Sequence, residues 1–359
     1  MESLLAIAEP LARPLDQVRA SLYRAGFRIG AVKSVLVSRD RRIATKATVG
    51  FLFALVLTLA LPMWLFTLSP LLFGVPHLAS DFRYLVIRPS AAGVWKKLCV
   101  LFCVGLFAIA TFDCLSAGKF GLPTEMLLAA SWIALSAILG ARESTHRRSV
   151  FIVGAALMVG ALLIRFPQVS RIVFAHLHNV VALVLWAVIF RRNRRSLALP
   201  LCAIGVALLC FGVLATVPAA ERLGSATFAG LSLADVASAL APGLSLRIAI
   251  ALSLSYVFLQ AVHYQVWLGL VPDEQVRGAG TISFRMSLRS LVRDFGPLGI
   301  SAIVVATIAV LAAAAFRVHA TRDVYLRLIV FHGYLELAAF AYLCARDPVG
   351  PRKIISSGR

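Results

Sequence analysis

The sequence predicts an all-α, polytopic transmembrane helix bundle, and two observations carry this prediction. Of the 359 residues, 60% are hydrophobic and only 14% charged, and the mean hydropathy is +0.88, far from the composition of a water-soluble domain. Apolar runs of about 20 residues, the length that spans a bilayer as a helix, recur along the chain. These runs are continuous and do not alternate with polar residues, which excludes a β-barrel.

The apolar runs, bounded by charges or by Gly and Pro, predict about ten spans. The second and fifth runs are short, so a re-entrant or interfacial segment remains an alternative for each. The predicted spans are 47–68, 70–88, 94–115, 122–141, 149–165, 168–190, 196–217, 245–270, 297–316 and 323–344.

The positive charges give these spans a direction. With the N-terminus inside, 28 of the 36 Lys and Arg residues fall in inner connections and 8 in outer ones, as the positive-inside rule requires. The net charge of +20 therefore reflects topology and not nucleic-acid binding, because the basic residues are spread over short connections. We expect an integral protein of a bacterial inner membrane with both termini cytoplasmic.

Three regions follow from this pattern: a basic cytoplasmic segment (1–46), a transmembrane domain (47–344) and a basic cytoplasmic tail (345–359). The first region lacks the compact charged and apolar parts of a cleaved signal peptide. Within it, 13–36 has apolar and basic residues at helical spacing, as does 281–295 further along the chain. Both are typical of interfacial helices on anionic lipids, although solvated linkers would show the same charges.

Ionisable groups inside a membrane are costly and therefore call for partners. His77 is followed four residues later by Asp81, and His332 four residues later by Glu336. This spacing places both members of each pair on one helix face. In an apolar helix such a carboxylate holds the imidazole by a hydrogen bond or joins it in binding a metal ion.

Four histidines are predicted to lie on helices that run in the same direction, and we take them as candidate metal ligands: His77, His176, His263 and His332. The predicted helix starts place three of these histidines about 10–14 Å deep but His263 near 27 Å, which makes its membership the weakest. Interhelical hydrogen bonds that fix helix packing are the alternative interpretation. Candidates for the surrounding shell are His178, Asn179, Gln260 and Tyr264, with Asp81 and Glu336 as catalytic or orienting acids.

The stretch from Phe73 to Asp81 reads Phe-Gly-Val-Pro-His-Leu-Ala-Ser-Asp. It resembles the Gly-x-Pro-His-x-x-x-Asp signature of the Brp/Blh family of microbial carotene dioxygenases, and the match covers about a dozen residues. That family consists of membrane-embedded helical proteins that use histidine-bound ferrous iron to cleave β-carotene into retinal. The resemblance implies that His77 is an iron ligand and Asp81 its partner.

These observations lead to a membrane metalloenzyme hypothesis: a non-haem iron (Fe²⁺) oxygenase that acts on a lipid-soluble substrate, carotenoid-like or an acyl chain. The alternative from a different class is a proton- or ion-coupled transporter that titrates the His, Asp and Glu pairs. A haem protein with two axial histidines and a purely structural membrane subunit also remain open.

Overall fold

A computed structural model describes residues 2–116, 121–141, 150, 153–154, 158, 161, 165–191, 193–276 and 283–346. Over these residues the chain is an all-α helical bundle with one two-stranded hairpin. Nine helical segments in the described part are long and apolar enough to cross a bilayer. The protein is thus an integral membrane protein, and the predicted fold class is confirmed.

The described part of the chain forms fifteen α-helices and two strands. The first six helices are α1 (Glu2–Phe27), α2 (Gly30–Val37), α3 (Arg39–Ala60), α4 (Pro62–Asp81), α5 (Gly93–Leu115) and α6 (Gly121–Ala141). Next come α7 (Pro167–Leu185), α8 (Ala198–Leu214), α9 (Ala219–Gly224), β1 (Thr227–Phe228), β2 (Leu231–Ser232) and α10 (Leu233–Leu240). The last five helices are α11 (Leu246–Gln265), α12 (Val271–Glu274), α13 (Phe284–Phe316), α14 (Val318–Leu328) and α15 (Phe331–Ala345).

Three of these helices widen into a π-helical turn where they end. The turns are Phe82–Ile87 after α4, Trp186–Phe190 after α7 and Val266–Leu270 after α11. Each of the three helices carries a histidine that sequence analysis singled out. Such turns occur frequently at functional sites.

The boundary predicted between the first two spans, near residue 69, is wrong. The break lies between α3 and α4 at Leu61, whose backbone is not helical, and Pro62 opens the next helix. Proline suits a first helical position because its missing N–H would have no partner there. Pro70 and Pro76 lie inside α4 instead.

The remaining spans agree with the predicted ones within a few residues, with one exception. The predicted span 149–165 lies largely outside the described residues, as do most of the tail 345–359 and the first residues of the segment 281–295. The predicted boundary between that amphipathic segment and the following span is confirmed as a break in α13 at Gly296, whose φ is 70°. A positive φ at this position favours glycine, and Pro297 restarts the helix.

The bundle has two ends that differ in charge. We call one the basic end: there Arg83 contacts Asp294 at 2.7 Å and Arg191 contacts the buried Glu274 at 2.5 Å. We call the other the hairpin end, where Trp64 packs on Phe228 of β1. The helices α4, α11 and α14–α15 begin at the hairpin end and finish at the basic end, and α7 also finishes there.

Small residues allow α6 and α15 to approach each other closely. The α6–α15 contact is built on Ala137, Gly140, Ala341 and Ala345. Without a hydrophobic driving force between helices in lipid, such close backbone packing is a main source of association. This contact anchors α15, the helix that carries His332.

Candidate metal centre

Four histidines from four different elements meet in the middle of the bundle: His77 on α4, His178 on α7, His263 on α11 and His332 on α15. We call them the histidine cluster. The ring centroid of His77 lies 5.1 Å from that of His263 and 4.9 Å from that of His332. The ring of His178 lies 5.4 Å from His263 and 5.5 Å from His332.

One nitrogen each of His77, His263 and His332 lies within 4.8 Å of the other two, and all three side chains are buried. Three imidazole nitrogens that share one ion at about 2.1 Å each are about 3.4–3.6 Å apart. A shift of less than about one ångström by each nitrogen towards their common centre therefore brings all three to coordination distance. The three helices thus place three imidazole ligands around one point.

Backbone carbonyls orient three of the four imidazoles in the same way. The Nδ1 atom lies 3.3 Å from the Phe73 carbonyl in His77, 3.1 Å from Phe174 in His178 and 2.5 Å from Ile329 in His332. When Nδ1–H donates to a carbonyl, Nε2 keeps its lone pair free for a metal ion. The break between α14 and α15, at Ile329 and Val330, places the last of these carbonyls beside its imidazole.

Two carboxylates and one indole form a second layer, one helical turn further towards the basic end. The Asp81 carboxylate lies 3.8 Å from His77 Nε2 on its own helix, as the spacing predicted. Glu336 lies within 3.5 Å of His263 and accepts a 2.7 Å hydrogen bond from the Trp267 indole. Glu336 therefore pairs with the histidine of a neighbouring helix instead of with His332, its predicted partner.

His176, predicted as a ligand, lies outside the histidine cluster. Its Nε2 lies 3.2 Å from the Leu252 carbonyl and its ring packs near Tyr256. His178 occupies the position instead, because residues two apart on a helix point to nearly opposite sides. Ala182 and Trp186, which follow His178 at four and eight residues on the same helix face, are also buried, so this is the face that α7 turns inward.

The depth argument against His263 is wrong because the helices that carry His77 and lead to His332 begin earlier than predicted, at Pro62 and Val318. From their observed starts at Pro62, Leu246 and Val318, the three helices reach His77, His263 and His332 after about 22, 26 and 21 Å at 1.5 Å per residue. The three histidines thus occupy one layer. The part of α11 near the hairpin end, which lengthens this path, packs against α9 and α10.

The histidine cluster borders a cavity of about 160 Å³. Apolar side chains form much of the remaining wall, including Phe174, Leu326, Ile329 and Val330. The predicted shell residues Asn179, Gln260 and Tyr264 also line it. A cavity of about this size accepts a benzene ring, so part of an apolar molecule can reach the imidazoles.

Several buried polar atoms of the site have no hydrogen-bond partner among the described residues. They include Nε2 of His77, both ring nitrogens of His263, both carboxylate oxygens of Asp81 and Oε2 of Glu336. Unpaired polar atoms are costly in a low-dielectric interior. Their arrangement fits a bound cation, for which imidazole nitrogens and carboxylate oxygens are the usual ligands.

Comparison of the chain with protein-family models, with curated proteins and with solved structures finds no match. The class of protein that the fold and site define is therefore a polytopic helical membrane protein with a buried four-histidine site.

Proposed function

We propose that this protein is a membrane metalloenzyme, a non-haem ferrous iron oxygenase acting on a lipid-soluble substrate. The observation that supports the proposal is the histidine cluster, in which imidazoles from four elements, three of them oriented by backbone carbonyls, lie together beside an apolar cavity. Imidazole is a borderline ligand that suits iron as well as zinc, copper and nickel. The resemblance at residues 73–81 to the Brp/Blh dioxygenases favours iron among these.

In this proposal His77, His263 and His332 hold the ion, and His178 is a fourth ligand or leaves its place to a substrate. Bound ferrous iron would supply the activation of dioxygen. Glu336 orients His263 from behind, as carboxylates beside metal-bound histidines commonly do. Asp81 lies 3.8 Å from Nε2 of His77, the nitrogen that faces the ion, and balances the charge of the ion. The apolar wall excludes water, which protects a reactive site from side reactions.

The cavity restricts the substrate. At about 160 Å³ it holds one ring or a short chain segment. A long polyene or acyl chain would therefore enter with one portion only, the rest lying between helices or in lipid. The leading substrate class remains the one expected from sequence, a carotenoid-like molecule or an acyl chain.

The test is metal analysis of the detergent-purified full chain after anaerobic incubation with ferrous iron. We expect about one iron per chain in the native protein and a large loss in His77→Ala and His263→Ala. His176→Ala is the matched control, because it removes an imidazole from the same bundle but outside the cluster, and it should keep its iron. Substoichiometric iron, manganese, copper and zinc in the native protein would overturn the proposal, and a Soret band would identify haem instead.

A proton- or ion-coupled transporter is the second candidate, favoured by one observation. The carboxylates of Asp81 and Glu336 are buried and carry oxygens without partners, as in groups that exchange protons within membranes. Flux into proteoliposomes that depends on a pH gradient and is unaffected by chelators would support the transporter over the enzyme.

A further inference from the structure

One wall of the cavity is polar and belongs to a single helix. Tyr256, Gln260 and Tyr264 follow one another at four-residue intervals on α11 and all line the cavity. The Gln260 amide nitrogen donates to the Tyr256 hydroxyl at 3.3 Å and to the Tyr264 hydroxyl at 3.4 Å. The Ser69 hydroxyl, which donates to the Leu65 carbonyl at 2.6 Å, lies 3.5 Å from the Gln260 amide oxygen. The amide nitrogen of Gln260 thus holds both phenols.

This arrangement leaves the phenol protons available. Both hydroxyl oxygens act as acceptors towards Gln260, and within the described residues neither hydroxyl donates to a protein acceptor. A buried hydroxyl that does not donate loses free energy compared with its state in water. The two phenols therefore present two hydrogen-bond donors on the cavity wall.

The helix across the cavity contributes an acceptor. Asn179 on α7 is 1% exposed and lines the same cavity. Its amide nitrogen donates to the Ala175 carbonyl at 2.9 Å, which fixes the orientation of the side chain. Its amide oxygen is buried without a partner. The cavity thus has unpaired donors on one wall and an unpaired acceptor on another.

We propose that the site takes an apolar substrate that carries an oxygen function, a carbonyl or a hydroxyl, bound by Tyr256 and Tyr264. This inference rests on the proposed function and specifies its substrate class. The Tyr264 ring lies 4.8 Å from the ring of His77, so an oxygen held by these phenols positions the adjoining carbons beside the histidine cluster. A pure hydrocarbon would leave both donors unpaired, which is how a polar site rejects an analogue that lacks the matching group.

Two small probes of the same shape test the proposal. Acetophenone and α-methylstyrene differ in a C=O against a C=CH₂ group, and each is of the ring size that the cavity accepts. Their affinities are measured by calorimetric titration into the detergent-purified full chain, with and without iron, and corrected for partition into empty micelles. We expect acetophenone to bind at least tenfold more tightly than α-methylstyrene.

Variants assign this preference to the phenols. Tyr264→Phe should reduce the ratio of the two affinities, and Tyr256→Phe combined with Tyr264→Phe should bring it close to one without weakening α-methylstyrene. Tyr342→Phe is the matched control, because the Tyr342 hydroxyl binds the Ala92 backbone amide at the end of α15 and away from the cavity. Retained α-methylstyrene binding shows that the cavity of a variant is folded. If the double variant loses this binding, the Tyr264→Phe variant alone decides the test.

Equal affinities in the native protein, or a preference for acetophenone that survives in the phenylalanine variants, would overturn the inference. The two proposals fail separately. If the protein prefers acetophenone through its phenols but binds no metal, the iron oxygenase proposal is contradicted and the inference about oxygen recognition is retained. If the protein binds stoichiometric iron but has equal affinities for the two probes, only the inference about oxygen recognition is contradicted.

Discussion

At the scale of single residues, the site consists of imidazoles whose outer nitrogens are held by the protein. The carbonyls of Phe73, Phe174 and Ile329 hold three of them. His263 differs: both of its nitrogens lack a hydrogen-bond partner in the described part of the chain, and Glu336 lies 3.5 Å away. The orientation of His263 therefore depends on that carboxylate.

Glu336→Gln tests this dependence. The glutamine amide oxygen can still accept from the Trp267 indole, so packing is kept while the charge beside His263 is lost. We expect iron affinity to fall about 10- to 100-fold, the usual effect of changing a partner of a metal-bound histidine. The measurement is a competition titration of iron against a chelator.

Glu221→Gln is the control for this change, since Glu221 forms an exposed ion pair with Arg247 at the hairpin end. It should leave the affinity for iron unchanged. Equal iron affinities of Glu336→Gln and the native protein would show that Glu336 does not act on the metal site.

At the scale of the elements, the position of α4 depends on one close approach. Gly74 lies against the ring of Tyr325 on α14, and a Cβ atom there would be 2.6 Å from the ring carbon Cζ. The Tyr325 side chain is buried, with 7% exposure. The glycine thus lets α4 and α14 pack closely enough to bring His77 and His332 together.

Gly74→Ala should therefore lower the free energy of unfolding by about 1–3 kcal/mol, the cost of overpacking a core, and weaken iron binding. Thermal unfolding and metal content measure the two effects. Gly205→Ala is the control, because a Cβ at that position meets nothing within 4 Å and alanine is the better helix former. An unchanged melting temperature in Gly74→Ala would contradict the close packing.

A second contact between elements docks the amphipathic α1 onto the start of α13. The Asp16 carboxylate accepts hydrogen bonds from the backbone amides of Phe284 at 2.7 Å and Arg285 at 3.4 Å. Burial raises the pKa of Asp16, but these amides together with Arg19 and Arg285 outweigh it, so that the pKa is lowered from its usual value. A carboxylate at a helix N-terminus is favourable for the same electrostatic reason.

A lowered pKa in the docked state means that docking is favoured above about pH 4, the ordinary pKa of aspartate, and weakens as pH falls through the lowered value. Spin labels at Val18→Cys and Leu288→Cys, in a background without the native cysteines, should show α1 and α13 together at pH 7 and increasingly apart as the pH falls below about 4. Asp16→Asn should remove the pH dependence. Equal distances at pH 7 in Asp16→Asn and in the native Asp16 background would contradict this role.

At the scale of the whole molecule, the four helices that carry the histidine cluster all finish at the basic end. The positive-inside rule then predicts that the basic end faces the cytoplasm and the hairpin end the outside. The exposed faces of α1 and α2, with Leu15, Val18 and Leu22, would lie on the inner leaflet, as is typical of basic amphipathic helices.

Cysteine labelling in intact cells tests this topology. In a background without the six native cysteines, Ser225→Cys at the hairpin end should react with a membrane-impermeant maleimide added outside. Ser34→Cys in α2 should react only after the cells are opened. The opposite result would reverse the orientation of the bundle.

The sequence by itself determined the fold class, the direction shared by the histidine helices, and three of the four members of the cluster. Hydrophobicity and charge predict the spans and their direction because the free energy of transferring a residue into lipid depends little on residues far away in the chain. The Asp81–His77 pair could likewise be predicted from the sequence, since helical spacing alone brings the two groups together.

Only the tertiary structure decided between His176 and His178, paired Glu336 with His263, and placed His263 in the common layer. These features depend on which face each helix turns inward and on where its first turn begins. Helix rotation is set by packing of side chains from other elements, such as Tyr325 against Gly74, and the start of α4 by the break at Leu61. The periodic pattern of one segment predicts neither the rotation of a helix nor its first residue, because the atoms that determine both belong to segments far away in the chain.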